Sequence, residues 1–483
     1  MNHFSNKKIT GKTSTPAFQK SIMSKSKQQK NAHSSMIRRL IKWVPKNKQD
    51  YEKKKVPFFL MCITFLIAFG IIFKVTYTRY QYVVNFSVTD ILNIISADLE
   101  VDKENRSNIL LLGAGGGDHD GADLTDTIMI ASLNHDNNTV SLVSFPRDLW
   151  INLPNHQSSR INKIYDNLNG SVGADQALNI LTENIEKISN LEIPYTIKID
   201  FAGFTKIIDT VGGIDIIVEK SIHDTAYPTD DRRYETFSID AGEQHLDGET
   251  ALKYARSRHS TSDFDRAMRQ QQIINAIKEK AQETHFLSSP LLLKKLYEDF
   301  SEHIQTNMGT TELISLAQFA KDFDRDQLNS AVIKDIDILD VGSFLYTPER
   351  ELYGGAFVLV PVGNSYEKIQ QFIQLVFNWP GFFKEESSFQ ILNGTKKTGL
   401  AAQIGQKLIP FGFTILRYAN ADRKDYTQSH YYIHRPENTR VSEEVVKYFF
   451  PNAIKMTGEP PEEIDTDYDI SIVLGEDAIA EDL

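Results

Sequence analysis

Residues 108–148 read NILLLGAGGGDHDGADLTDTIMIASLNHDNNTVSLVSFPRD. Ile109–Leu112 is a short apolar run cut off by a glycine-rich loop, Gly113-Ala114-Gly115-Gly116-Gly117. Thr127–Leu133 and Thr139–Phe145 are runs rich in β-branched residues. The polar stretch His135-Asp136-Asn137-Asn138 between them reads as a hairpin turn. Outward from this block the hydrophobic period changes. Asp175–Ile188 carries Ala177, Leu178, Leu181, Ile185 and Ile188 at helical spacing. Tyr195–Ile199 alternates as a strand, Phe201–Val211 returns to helix and stops at Gly212-Gly213, and Ile214–Val218 is a strand again. Gly248–Arg258, Asp263–Gln282, Leu291–His303 and Thr311–Phe323 read as helices. Strands alternating with helices predict an α/β (α+β layered) domain over residues 108–325, a central mixed β-sheet flanked by helices.

Residues 326–385 read as a connecting region, with strands expected at Val332–Leu339 and Ala356–Pro361 and a helix at Tyr366–Val376. A small C-terminal α/β domain follows over residues 386–479. Its order is strand Phe389–Leu392, helix Gly399–Leu408, strands Phe413–Tyr418 and Tyr431–His434, helix Val441–Phe450 and strand Asp469–Leu474. Residues 455–469 hold six acidic residues against Lys455 alone and read as a flexible acidic linker. This unit is expected to fold by itself and to be dispensable for any chemistry upstream.

The N-terminal side differs in kind. The chain of 483 residues has 53 Lys and Arg against 64 Asp and Glu, a net charge of −11. Residues 1–55 take 15 of the bases and 2 of the acids, leaving 38 and 62 for the rest. Between the basic head and the acidic body, Val56–Phe73 runs 18 residues without a charge, with Lys53-Lys54-Lys55 before it and Tyr77, Tyr80 and Tyr82 after it. About 27 Å of helix at ~1.5 Å per residue matches a bilayer core. The expectation is a disordered basic cytoplasmic tail at 1–55, a single transmembrane helix at 56–75 and a helical stalk at 76–107. The remainder then lies outside the cell membrane by the positive-inside rule. A buried core helix is the other reading of the apolar run; the lysine block argues against it. The acidic body argues against nucleic acid as a partner, and the single Cys62 excludes a disulfide framework or a cysteine-built metal site.

No P-loop, H-E-x-x-H or G-x-S-x-G sequence occurs, which sets aside the usual kinase, zinc-protease and α/β-hydrolase machinery. Arginines cluster instead. Phe145-Pro146-Arg147-Asp148 ends a strand, Arg256-Ser257-Arg258 ends a helix, and Asp263, Arg266 and Gln270 share one face of the next, with Arg269 beside Gln270. Phe264, Ala267, Gln271 and Ile274 form a different stripe that can face a core. Convergent guanidinium forks suit the oxygens of a pyrophosphate; a surface ion-pair network is the alternative. Asp118, Asp120, Asp123 and Asp126 crowd before a strand. They read either as Mg²⁺ ligands beside a phosphate site or as an acidic turn with cap residues. A calcium loop is a third option, weakened by the lack of a closing Glu.

Taken in order, several segments resemble the LytR–CpsA–Psr family of cell-wall glycopolymer transferases. They are Leu111-Leu112-Gly113, Thr125–Met129, Ser144–Asp148, Asp200–Phe204, Asp209–Ile214, Leu246–Arg258 and Ser262–Gln271, across residues 108–284. Gln390–Thr395, Gly399-Leu400-Ala401 and Gly412-Phe413 resemble the C-terminal domain often attached to such proteins. The resemblance implies a phosphotransferase. A sugar hydroxyl of peptidoglycan attacks a polyprenyl-pyrophosphate-linked glycan, a phosphodiester forms and polyprenyl phosphate leaves. It implies catalytic roles for Asp263, Arg147 and Arg266, and pyrophosphate contacts from Arg256, Arg258, Arg269 and Gln270. Mg²⁺ (or Mn²⁺) would be held by Asp126, with Asp123 or Asp120 as the second ligand. It also implies an apolar tunnel for the lipid, with Phe201, Phe204, Ile207 and Ile208 as candidate lining. Two positions depart from the family pattern. Gly113–Gly117 stands where an acidic residue is usual, and Leu124 where an arginine is usual. A glycolipid-binding or regulatory protein without turnover, and a polyprenyl-pyrophosphate hydrolase, are the alternative functions.

Overall fold

The computed structural model describes residues 99–117, 121–153, 157–229, 233–257, 263–283, 300–322, 328–333 and 343–480. All of these belong to the unit Asn93–Leu483. The tail, the apolar segment Val56–Phe73 and the first part of the stalk lie outside the described residues. Among the described residues no helix is long and apolar enough to cross a membrane.

The chain runs β1 (Arg106–Ala114), β2 (Thr125–Asn134), β3 (Thr139–Ser144) and two short strands, β4 (Trp150–Ile151) and β5 (Ser159–Arg160). Next come α1 (Ile164–Val172), α2 (Ala174–Ser189), β6 (Tyr195–Asp200) and α3 (Phe201–Thr210). Strands β7 (Ile214–Val218), β8 (Ile222–Pro228), β9 (Tyr234–Ile239) and β10 (Gly242–Leu246) precede α4 (Gly248–Arg256) and α5 (Asp263–Glu283). After β11 (Ile304–Thr306) come α6 (Thr310–Asp322), β12 (Leu328–Val332), β13 (Leu345–Tyr346), β14 (Val360–Pro361), α7 (Glu367–Asn378) and α8 (Phe382–Glu385). The last part is β15 (Ser388–Asn393), α9 (Leu400–Leu408), β16 (Thr414–Asn420), β17 (His430–Ile433), α10 (Arg440–Phe449), β18 (Ile454–Lys455), β19 (Ile470–Leu474) and α11 (Asp477–Ala480).

The main sheet has the order β11-β6-β1-β2-β3-β12. It is mixed: β1 is antiparallel to β2 and parallel to β6, and β12 is parallel to β3. Both faces are covered. Leu110 and Leu112 pack with Leu178, Leu181 and Ile185 of α2 on one side. Ile109 and Leu111 pack with Ile274 of α5 and Leu313 and Leu316 of α6 on the other. A strand buried on both faces has no polar alternation, which is why Ile109–Leu112 reads as a continuous apolar run. Helix α5 also touches a second core, through Ile273 and Ala276, with Ile208, Ile214, Phe237, Tyr254 and Ala255.

Several expectations need correction. Residues 99–105 are not helical; Asp102 and Asn105 close a turn that feeds β1, so the stalk's last residues already belong to the domain. Strand β12 falls in the stretch read as a connector, yet it is the sixth strand of the main sheet. The expected helix Leu291–His303 lies outside the described residues up to residue 299, and His303 stands in a turn before β11. The C-terminal sheet, order β16-β15-β19-β17-β18, has the expected βαββαβ succession with β18 added. Residues 455–469 are not a loose linker. Ile464 is buried with Leu392, Tyr432 and Val473, the Asp465 carbonyl accepts from Gln390 Nε2, and the Glu463 carbonyl accepts from Arg417. The acidic side chains are mostly exposed, while the backbone and Ile464 cover the sheet.

The two sheets share one apolar core. Phe344 lies 5.2 Å from Phe372 of α7 and 5.0 Å from Phe411 of the C-terminal part, ring centre to ring centre. Phe382 meets Phe413, and Phe411 meets Phe449. The buried set that contains Leu110 and Leu112 therefore runs without a break into Phe389, Ile391 and Ile472.

Candidate functional site

The mouth of β1 and β2 is shaped by an irregularity. Gly113 pairs with Thr127 but Ala114 pairs with Thr125, so Asp126 is the extra residue of a β-bulge. Bulges re-aim a side chain at a strand end. The Asp126 carboxylate accepts from Arg147 Nη1 at 3.1 Å and from Asn162 Nδ2 at 3.0 Å, and these two bonds fall on Oδ1. Asp148, the next residue after Arg147, is nearly buried and accepts from Arg160 Nη1 at 2.8 Å. The glycine loop packs onto the start of α3. Gly116 has φ +74°, and a Cβ there would fall 2.6 Å from Asp200 Cβ. Asp200 in turn caps α3 by accepting from Gly203 N at 2.7 Å.

Helix α4 begins at Asp247, whose Oδ1 accepts from Thr250 N at 2.8 Å, and ends at Arg256. A cation in the last turn suits the helix dipole. The Arg256 guanidinium lies over the Phe201 ring at 4.2 Å and over the Tyr227 ring at 5.3 Å, and donates to Tyr227 Oη at 3.0 Å. Such stacking fixes its plane.

Three cavities meet at this point, and Phe201 and Arg256 line all of them. One, of about 420 Å³, carries the charged and amide groups of Asp126, Asp224, Arg256, Arg266 and Gln270 and is also lined by Leu124, Phe201 and Tyr234. The second, of about 210 Å³, is apolar and is lined by Leu111, Met129, Ile197, Ile199, Phe204, Ile207, Ile274 and Ile277. The third is an open groove of about 820 Å³ past Gly115–Gly117, with Asp209, Tyr227, Glu235, Glu249 and Lys253. Glu235 and Glu249 hold Lys253 by bonds of 2.9 and 2.8 Å and keep its ammonium protonated, raising its pKa.

The structure thus gathers Asp126, Arg256, Arg266 and Gln270 around one cavity, with Arg147 bonded to Asp126. It brings Phe201, Phe204 and Ile207 to the apolar pocket. Ile208 is a correction: it is fully buried in the core of α3, α4 and α5 and lines none of these three cavities. Asp123 is a second correction. Its carboxylate is turned to Asn169 Nδ2 at 2.9 Å and Lys198 Nζ at 3.5 Å, away from the cavity lining. Lys198 sits over the Tyr165 ring, and burial with Asp123 nearby pushes the Tyr165 hydroxyl up to about 12. Arg269 is a third. It is 6% exposed, and its Nε and Nη2 donate to the carbonyls of Tyr254 and Ser257 rather than into the cavity. Arg258, Asp118 and Asp120, and the side chain of Asp263, lie outside the described residues.

Sequence reasoning missed Asn162, Asp224 and Tyr227. Asn162 stands with Lys163 between Ile161 and Ile164, and nothing in that stretch marks it as a site residue. Asp224 and Tyr227 sit on the β8–β9 hairpin, whose alternation is broken by the polar run Thr229–Arg233.

Among the described residues no three of His, Cys, Asp and Glu gather to hold a metal. Mg²⁺ is commonly held by one or two carboxylates with substrate oxygens and water. Asp126, opening onto a cavity that also presents guanidinium groups, fits that pattern as a single protein ligand. Asp224 also lines the cavity, but its oxygens already accept from Ser257 Oγ at 2.7 Å and Ala226 N at 3.0 Å.

Residues 387–477 match the family described as LytR cell envelope-related transcriptional attenuator. The chain is 29% identical over 256 residues to a Bacillus subtilis protein named polyisoprenyl-teichoic acid–peptidoglycan teichoic acid transferase TagV. That match takes in 52% of this chain and 59% of the relative, less than two thirds of its length. A Bacillus cereus relative, the correspondingly named TagU, is 28% identical over 274 residues, 53% of this chain and 79% of the relative. The crystal structure of B. subtilis TagV superposes with a TM-score of 0.43 at 26% identity, over 57% of this chain and 99% of that one. The LytR_cpsA_psr family itself matches residues 78–354, more than half of the 483 and the whole stretch from which the arginine cavity is built, and the chain belongs to it.

Proposed function

We propose that this chain is a phosphotransferase that moves a glycopolymer from a polyprenyl-pyrophosphate carrier to a hydroxyl of peptidoglycan. One observation carries the reading. An apolar pocket and the cavity that carries Arg256 and Arg266 share the lining residues Phe201, Arg256 and Gln270. That pairing suits a substrate whose pyrophosphate caps a hydrocarbon chain. The third cavity gives the glycan or the acceptor a way in. The names of the Bacillus relatives point to a polyisoprenyl-linked teichoic acid as the donor class.

In the reaction, the acceptor oxygen bonds to the phosphorus that carries the glycan. The bond from that phosphorus to the bridging oxygen breaks, and polyprenyl phosphate leaves with the electron pair. The hydroxyl proton passes to a base; the family resemblance makes Asp263 a candidate for that role or for orienting an arginine. Arg256, Arg266 and Gln270 bind and orient the pyrophosphate, and Arg147 orients Asp126. Donors fixed before the reaction stabilise charge as it develops on phosphate oxygens. Asp126 would hold Mg²⁺ together with substrate oxygens, and the ion would supply positive charge between that carboxylate and the pyrophosphate. Val56–Phe73 would anchor the protein in the cell membrane with residues 1–55 in the cytoplasm and the catalytic part outside.

The test is incubation of residues 76–483 with a polyprenyl-pyrophosphoryl glycan, Mg²⁺ and a peptidoglycan oligomer, followed by mass analysis. An oligomer heavier by one glycan phosphate is the expected product. Free glycan phosphate formed equally with or without oligomer would make the protein a hydrolase. Unchanged donor would leave a binding protein.

A further inference from the structure

We infer that Asp224, Ser257 and Arg269 form a clamp that positions the pyrophosphate-binding arginines, with Arg269 acting as a positioning residue and not as a ligand. The inference rests on the phosphate reading of the cavity. The three residues come from three elements: β8, the residue that ends α4, and α5. They are 1%, 0% and 6% exposed. Ser257 is held at every polar atom. Its Oγ donates to Asp224 Oδ2 at 2.7 Å, its amide donates to the Lys253 carbonyl at 3.0 Å, and its carbonyl accepts from Arg269 Nη2 at 2.5 Å. Arg269 Nε donates to the Tyr254 carbonyl at 2.9 Å. One guanidinium therefore bridges two carbonyls at the end of α4, three residues apart.

Burying a guanidinium between two carbonyls is a costly way to join two helices even with the Asp224 and Asp265 carboxylates near it, since packed apolar side chains do this without desolvating a charge. What the fork adds is direction. Arg256 immediately precedes Ser257, and Arg266 and Gln270 flank Arg269 on α5. Fixing the end of α4 against α5 fixes the spacing of all three cavity donors. Asp224 extends the same hold to the hairpin that carries Tyr227, the residue on which Arg256 rests. Arg269→Lys keeps a charge and three donors but loses the planar fork, so the two carbonyls are no longer held in one fixed geometry.

The test uses the full-length protein in detergent, with farnesyl pyrophosphate as the probe and calorimetry as the readout. Arg256→Ala, Arg269→Lys, Ser257→Ala and the double variant Arg256→Ala/Arg269→Lys are compared, each with its melting temperature. Arg269→Lys and Ser257→Ala should melt within a few degrees of wild type yet bind the probe about 10-fold more weakly. In the double variant the lysine should add little to the loss caused by Arg256→Ala, because it acts through that residue. Wild-type affinity in Arg269→Lys and in Ser257→Ala overturns the clamp, as do losses that add in full in the double variant. Should Arg269→Lys fail to fold, Ser257→Ala, which removes one hydroxyl, carries the same expectation. A wild-type protein that ignores the probe, with Arg256→Ala no different, overturns the phosphate reading and the clamp with it.

Discussion

Arg266 is 7% exposed and lines the cavity that carries Asp126 and Arg256, and Arg147 reaches the same place through Asp126. Arg266→Ala should lower kcat about 100-fold in the transfer assay, the usual effect of losing one charged donor aimed at developing charge, about 3 kcal/mol, and Arg147→Ala should lower it as well by leaving Asp126 without the partner that orients it. Lysine should restore little, since the fork is lost. Unchanged turnover in both alanine variants would make the arginines an ion-pair network. Asp126→Asn keeps the bond from Arg147 within reach but removes the charge. Activity should be lost in this variant and in wild type treated with EDTA, and Mg²⁺ should restore only the wild type. Full activity of Asp126→Asn in EDTA would leave a site made of arginines alone. At this scale the sequence was readable where a motif reported the side chain's direction, as for Arg256, Arg266 and Gln270 on adjoining helices. It was unreadable where direction depends on a distant carbonyl or amine. Arg269 turns to Tyr254 and Ser257, and Asp123 turns to Lys198, for reasons that neither local sequence contains.

The packing of α3 against α4 sets the distance between Phe201 and Arg256, and it allows no side chain at one point. A Cβ on Gly248 would lie 2.2 Å from the Thr205 carbonyl oxygen. Gly248→Ala must therefore push the helices apart. It should lower stability by about 2 kcal/mol, within the usual range for overpacking, and weaken turnover as well. Gly170 in α1 has open space around its Cβ position, so Gly170→Ala should be neutral or slightly stabilising; equal melting temperatures for the two variants would refute the packing argument. Just before Gly248, Asp247 caps α4. Thr250's hydroxyl and amide hold its carboxyl below the ordinary carboxylate range. A lowered pKa adds stability above the unfolded value and loses it as pH falls through the folded one. Asp247→Ala should cost about 1 kcal/mol near neutral pH, and the gap to wild type should close below about pH 4. A gap independent of pH would mean the carboxylate charge has no part. Long elements with one period, such as α2 and β2–β3, were legible in the sequence. The β8–β9 hairpin was not, because its strands alternate weakly around a polar tip. Helix α5 carries two stripes that only the presence of two cores explains.

Across the whole molecule the site is built between Arg106 and Glu283, while the apolar core continues to Leu474. Truncation after Glu385 should leave the cavity residues in place but uncover Phe344, Phe372 and Phe382. The expected result is a melting temperature lowered by several degrees and binding of a hydrophobic dye, with transfer activity retained at low temperature. A truncated chain as stable as the full one would restore the expectation of an independent C-terminal unit. Protease added to intact cells or spheroplasts should digest this body and spare residues 1–55. A protected body would reverse the proposed topology. That two α/β sheets are present was legible in the sequence. That they share a core was not, because the joining phenylalanines are scattered over residues 344–449 and each reads locally as the core of its own element.

The phenylalanine seam also bears on how such proteins can be recombined. A crossover placed at residue 386, where sequence composition suggests a joint, would pair one parent's Phe344 and Phe372 with another parent's Phe411 and Phe413. A cut upstream of Ser343 would keep these rings together but would part α7 from the main sheet and from α2, where the Val376 carbonyl accepts from Ser141 Oγ and the Lys187 carbonyl accepts from Gln370 Nε2. Inheritance of the C-terminal part as a free cassette is therefore barred at both borders, because the same apolar core crosses each of them.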